Sequence, residues 1–310
     1  MIVSLLDIHA PPPSSHGSED ETLEILEAGT GHGSLTLYLS RAINGANSCP
    51  PPIPKASQLQ VLHAQQQPDE GVAKTAANQV AEVDSLQHEW DGWRSHRRAV
   101  LHTVDVSLKY SSRAEGNVRG FRRGIYAGNV DFYVSTVENW IQEQIRRRSR
   151  RLPSGTVDPF LNYALLDMPS AHLRIPLVAP ILKTDGILAV FMPNITQIGD
   201  CVSVIREERL PLTLDKAVEL GTGISSGRLW DLRMVTPRPN KNLTTDSVEK
   251  EPEQATEDML EDSSDNGPGE NVTTPSMAQT KGEPVLVCRP KVGDRIRGGG
   301  FVGIWRKMKI

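Results

Sequence analysis

The stretch EILEAGTGHGSL, Glu24 to Leu35, places three glycines within five positions directly behind an apolar run. Gly29, Gly31 and Gly33 leave the backbone bare at the point where a strand gives way to a helix. Such a turn suits a chain that brings a ligand against main-chain N–H groups, and it also suits a tight strand-to-helix turn that binds nothing. The rest of the chain has to decide between the two.

Apolar runs and helical patterns alternate along the sequence. LEILEA, AVLHTVD, VDFYVS, LNYALLD, GILAVFM, DKAVEL and GFVGIW read as strands, and GSLTLYLSRAI, AEGNVRGFRRGIY, VENWIQEQIRRR and ITQIGDCVSVIREER as helices. AHLRIPLVAPIL reads as a helix broken by its prolines. Regular alternation predicts a mostly parallel, seven-stranded sheet with helices on both faces, a Rossmann-like α/β fold. No clear helix separates the last two strands, so an antiparallel strand is expected near the C-terminus. Two segments break the order: 44–94, rich in Pro, Gln and Ala, and 237–283, rich in Ser, Thr, Pro and acid. Both lack apolar periodicity and are expected to be solvated, disordered insertions in one 1–310 domain, with a weak strand possible at LQVLHA.

The glycine spacing is G-x-G-x-G. A dinucleotide fingerprint wants its third glycine where Ser34 stands, and the G-x-x-x-x-G-K-[ST] phosphate loop is absent. Glu27, two residues before the first glycine, completes E-x-G-x-G-x-G, a pattern that resembles the class I S-adenosylmethionine-dependent methyltransferases. That resemblance implies S-adenosyl-L-methionine as cofactor, held by Glu27, Gly29, Gly31, Gly33 and Ser34. It also implies an acid at the end of the second strand for the two ribose hydroxyls, and Asp105 stands there if 44–94 is an insertion; the alternative is an ordinary strand-end Asp that caps the next helix. Thr136 takes the place near the adenine amine after the third strand. Asp167, in LLDMPS at the end of the fourth, should face the same cleft, because open parallel sheets bind ligands at the carboxyl ends of their strands.

EAGTGHGSLT, DMP (Asp167, Met168, Pro169) and FMPNITQI, with Pro193 and Gln197, together resemble the tRNA adenine-N1 methyltransferase family, which modifies a T-loop adenosine. The likeness covers about residues 1–43, 95–236 and, loosely, 284–310. Members of that family usually begin with a small β-barrel, and this sequence is expected to start after it. Tyr110 stands where the family has a basic residue, and Thr136 where it usually has Asp. The resemblance implies tRNA as substrate, assembly with methyltransferase-fold subunits and Asp167 as catalytic residue. It also implies a nuclear location, with the mitochondrion as alternative. A non-catalytic RNA-binding subunit and a protein isoaspartate carboxyl methyltransferase are the competing readings.

Charge bears on the nucleic-acid partner. The formal net charge is −4, but residues 240–283 hold eleven Asp and Glu against three Lys, which leaves 31 basic and 27 acidic residues elsewhere. IRRRSRR (Arg146, Arg147, Arg148, Arg150, Arg151) and VRGFRRG (Arg122, Arg123) are the candidate RNA contacts; each reads equally as a solvated basic face. Cys49, Cys201 and Cys288 are too far apart for a zinc motif or a disulfide framework, so no metal is expected and an intracellular chain is the default. No run of eighteen apolar residues suggests a membrane span.

Overall fold

The chain alternates strand and helix because apolar, β-branched runs alternate with amphipathic stretches. The computed structural model describes residues 2–10, 22–62, 80–150, 155–221, 228–235, 285–290 and 298–309. In chain order the elements are α1 (Ile2–Leu6), β1 (Leu23–Ala28), α2 (Ser34–Ile43), β2 (Gln60–Val61), α3 (Val80–Ser95), β3 (Ala99–Asp105), α4 (Leu108–Gly120) and β4 (Val130–Val134). They continue as α5 (Val137–Ser149), β5 (Leu161–Leu166), α6 (Ile175–Val178), β6 (Leu182–Met192), α7 (Ile195–Glu207), β7 (Leu212–Gly221), β8 (Arg228–Val235), β9 (Val285–Pro290) and β10 (Gly298–Lys307). Contacts divide the chain into a larger unit, Met1–Leu232 with Cys288–Ile310, and a smaller one, Arg233–Val287, of which only 233–235 and 285–287 are described.

Within the larger unit the strands run β2-β4-β3-β1-β5-β6-β10-β7-β8. β1 lies centrally, parallel to β3 on one side and β5 on the other, with Glu27 opposite Thr103 and Leu165. β10 inserts antiparallel between β6 and β7. Taking β1, β3, β4, β5, β6, β7 and β10 as strands one to seven gives the order 3-2-1-4-5-7-6. This is the Rossmann-like layout of the methyltransferases, with its reversed strand near the C-terminus. The order reverses between β1 and β5, so the loops after these two strands diverge and open a crevice at the carboxyl edge of the sheet.

Both faces are covered, which is why the central strands are apolar almost throughout. Leu26 and Ala28 of β1 belong to a core with Trp140 of α5, Ile175 of α6, Ile198 of α7 and Trp305 of β10. Leu23 and Ile25 point to the opposite core, with Leu6 of α1, Leu39 and Ile43 of α2 and Val118 of α4. Trp140, Leu39, Ile43 and Ile25 are completely buried.

The expectation of a solvated segment at 44–94 is corrected over its described parts. β2 extends the sheet beside β4, and α3 is tied to β4 through the ion pair between Arg94 and Asp131. Trp90 is buried, Trp93 Nε1 donates to Ser48 Oγ at 2.9 Å, and the Gln58 backbone N–H donates to Glu115 Oε1 at 2.7 Å. Trp90, Trp93 and the half-buried Arg94 hold α3 where an apolar stripe would ordinarily do so, and periodicity does not register such an anchor. α4 also begins earlier than expected, at Leu108, because Ser107 caps it by accepting from Tyr110 N at 3.4 Å. It ends at Gly120, where Arg122 and Arg123 turn left-handed at φ 45° and 60°. The expected insertion at 237–283 lies outside the described residues.

A buried ion network ties the opposite, amino-terminal edge of the sheet. Asp131 of β4 accepts from Arg97 Nη1 and Nη2 at 2.8 and 2.9 Å and from Arg94 Nη2 at 2.7 Å. Burial alone would raise the Asp131 carboxyl, but Arg97, Arg94 and His102 outweigh it and hold it well below the usual carboxylate range. Glu24 of β1 meets His102 Nε2 at 3.0 Å and Arg148 Nη2 at 2.5 Å; these partners likewise overcome burial and lower its carboxyl.

Candidate functional site

The loop from β1 to α2 is set by three left-handed glycines: Gly29 at φ 97°, Gly31 at φ 51° and Gly33 at φ 81°. Gly29 is a packing glycine. A Cβ there would stand 1.9 Å from the Asp167 carbonyl oxygen, because Asp167 N donates to Ala28 O at 2.8 Å and draws the two strand ends together. Gly31 differs: a Cβ there would meet nothing within 4 Å, so its missing side chain faces open space. That space is a cleft of about 460 Å³ lined by the ends of β1, β3, β4 and β5.

Asp105 forms one wall. Its Oδ2 accepts from Gly31 N at 3.1 Å and its Oδ1 from Ser107 N at 2.8 Å, so the carboxylate is fixed by two backbone donors. Each oxygen retains acceptor capacity toward a ligand. Asp105 thus braces the turn before α4, which Ser107 caps, and lines the cleft. Across the cleft Asp167 follows β5 directly and is exposed to the opening; partial burial by the surrounding walls raises its carboxyl.

Five of the expected residues meet here: Gly29, Gly31, Asp105, Thr136 and Asp167 all line the cleft. Glu27, Gly33 and Ser34 do not. Glu27 is fully buried beneath the loop, and its Oε2 accepts from Thr36 Oγ1 at 2.7 Å. Burial, together with the neighbouring Asp167 and Asp105 charges, raises its carboxyl to about 8 against the opposing hydroxyls of Thr36 and Thr103. Gly33 packs on Ala114, and Ser34 opens α2 with its side chain exposed. Thr136 caps α5 by accepting from Asn139 N at 3.2 Å.

The arginine clusters are not brought to this cleft. α5 starts beside it at Val137 and runs 13 residues, about 20 Å, toward the other edge of the sheet. There Arg146 and Arg147 pair with Glu143, and Arg148 pairs with Glu24 and lies 3.8 Å over the Phe160 ring. Arg122 and Arg123 likewise follow the far end of α4. Arg150 closes α5, and Arg151 lies outside the described residues.

Sequence reasoning missed three residues of the cleft. Ser135 is buried in its wall with no hydrogen-bond partner for Oγ among the described residues. Glu138, in the first turn of α5, and Arg174, after β5, bridge two sides of it at 2.8 Å. Ser135 had a usable signal: it directly follows β4, as Asp167 follows β5. Tyr110, at the rim, meets His32 edge-on with ring centroids 5.8 Å apart. The described residues contain no group of His, Cys, Asp and Glu able to hold a metal ion, and no helix long and apolar enough to cross a membrane.

No protein-family model matches the chain, and no curated protein matches it. Solved structures similar to it include a Thermoplasma acidophilum protein assigned as a methyltransferase, at 12% identity and TM-score 0.40, covering 93% of this chain and 70% of that one. A SAM-dependent O-methyltransferase of Thermotoga maritima matches at 13% identity and TM-score 0.43, over 100% of this chain and 64% of its own. The tRNA (m1A58) methyltransferase TrmI of Aquifex aeolicus matches at 10% identity and TM-score 0.33, over 70% and 56%. At such scores these are likenesses of layout alone; the fold rests on the strand order itself.

Proposed function

We propose that this chain is an S-adenosylmethionine-dependent methyltransferase. The observation that carries the reading is Gly31, bare toward a 460 Å³ cleft and hydrogen-bonded through its N–H to Asp105. The residues fit the cofactor. Asp105 can accept the two hydroxyls of a ribose, the unpartnered Ser135 hydroxyl can take a polar edge of the base, and the loop N–H groups favour a carboxylate. When bound, S-adenosylmethionine supplies an electrophilic methyl group on a cationic sulfur.

We further propose N1 of a tRNA T-loop adenosine as the acceptor. Its support is the sequence likeness around Glu27–Thr36 and Asp167–Pro169, together with Asp167 at the cleft. Adenine N1 has a free lone pair at neutral pH, so no base need remove a proton first. Asp167 would accept a hydrogen bond from the exocyclic N6 and oppose the positive charge that grows on the ring. Partial desolvation strengthens that field. The adenosine has to leave its stack, at a cost of a few kcal/mol, which contacts elsewhere on the tRNA must offset. The α5 arginines, at the far edge, serve such remote contacts or none.

Gly31→Val tests the cofactor site. A Cβ there meets no protein atom within 4 Å at a position that lines the cleft, and a branched residue at φ 51° is strained as well. Calorimetric affinity for S-adenosylmethionine should fall more than tenfold, about 1.4 kcal/mol. Unchanged affinity in a folded variant would reject the site. Methylation of a peptide in place of tRNA would reject the acceptor while leaving the cofactor reading intact.

A further inference from the structure

Three carboxylates gather around one glycine loop: Asp105 and Asp167 at the cleft and Glu27 beneath it. Glu27 is wholly buried, and only its Oε2 is satisfied, by Thr36. Oε1 has no hydrogen-bond partner among the described residues; the nearby Thr103 hydroxyl pairs with Thr30 at 2.7 Å and eases the charge without closing a bond to Oε1. The charged groups that bear on Glu27 are Asp105 at the end of β3 and Asp167 at the end of β5, both of its own sign, while α2 and β3 offer it only threonine hydroxyls. An unpaired buried carboxylate beside two others is costly, and taking up a proton relieves it.

We propose that Glu27 is a proton-linked counter-charge, protonated in the free protein and ionised when a cationic ligand settles on the glycine loop. This rests on the cofactor reading above and goes beyond it. The ligand's carboxylate and ammonium cancel, so the net positive charge it brings is that of its sulfonium; this offsets the repulsion among the three acids, and the Glu27 proton passes to the solvent. No bond other than O–H breaks. The same balance favours the cationic methyl donor over its uncharged, demethylated product, since S-adenosylhomocysteine returns less positive charge to the loop. Glu27 thereby becomes a specificity-determining residue that never touches the ligand. Burial holds its carboxyl at about 8, so it carries its proton at neutral pH.

The experiment is calorimetry of S-adenosylmethionine and S-adenosylhomocysteine binding at pH 7 in buffers of different ionisation enthalpy, which counts the protons released. The wild type should release at least half a proton more than Glu27→Gln with S-adenosylmethionine, and the excess should shrink with S-adenosylhomocysteine. Any proton change on the ligand's own amine is common to both proteins and cancels in the difference. The excess should also fade above about pH 8, where free Glu27 is already ionised. Equal proton counts in the two proteins would overturn the proposal while S-adenosylmethionine binding persists. Failure of the wild type to bind either ligand would overturn the cofactor reading itself. If Glu27→Gln does not fold, Thr36→Val serves instead: it removes the donor to Oε2 and should move the proton-release profile of binding to higher pH, and an unmoved profile would overturn the proposal.

Discussion

Asp167→Asn should slow single-turnover methyl transfer about a hundredfold or more, roughly 2.7 kcal/mol, with little change in affinity for S-adenosylmethionine. The substitution keeps the size of the side chain and a carbonyl acceptor for an adenine amine, and removes the charge that, in the proposed reaction, opposes the forming cation. It spares the scaffold, because the structural contacts here are made by backbone: Asp167 N donates to Ala28 O, and its carbonyl closes against Gly29. The measurement is transfer of labelled methyl to a tRNA transcript, with the modified position read from reverse-transcription stops. A variant as fast as the parent would reduce Asp167 to a strand-end residue. Label at N6 in place of N1 would move the chain to another class of methyltransferase.

Asp131→Ala should cost about 3–5 kcal/mol of folding stability at pH 7, measured by urea unfolding. Removing this carboxylate leaves Arg94 and Arg97 buried without the counter-charge that both share. Because the Asp131 carboxyl is held below its ordinary value near 3.8, its stabilisation is complete above that pH and is lost as pH falls toward the folded value. The gap between wild type and variant should therefore be widest at neutral pH and narrow progressively below about pH 4. A loss under about 1 kcal/mol at pH 7 would mean that the network is worth no more than a surface ion pair. Cofactor binding should weaken only as far as folding does, since the network lies at the edge of the sheet away from the cleft.

The amino-acid sequence by itself determined the layered architecture and the address of the cleft. The central strands β1, β3 and β4 are buried almost throughout, which only a sheet covered on both faces allows, and the three glycines mark the turn where bare backbone is needed. Asp105 and Asp167 were legible for the same reason, since each ends an apolar run and strand ends converge in an open parallel sheet. What the glycines do individually was settled by tertiary structure: Gly29 admits the Asp167 carbonyl, Gly33 admits Ala114, and of the three only Gly31 has no protein atom within 4 Å of where its Cβ would be. Motif spacing makes the three equivalent, and only long-range contacts separate them. Glu27 was likewise read as a cofactor contact, yet it lies buried under the loop and outside the residues that line the cleft. The arginines of α5 and of the turn after α4 show the converse. Their charge is local and visible in sequence, but which edge of the sheet they occupy depends on helix length and direction, and partners such as Glu24 lie more than a hundred residues away. α3 escaped periodicity altogether, because two tryptophans and the pairing of Arg94 with buried Asp131 hold it, and pairings of that kind exist only once distant strands have come together.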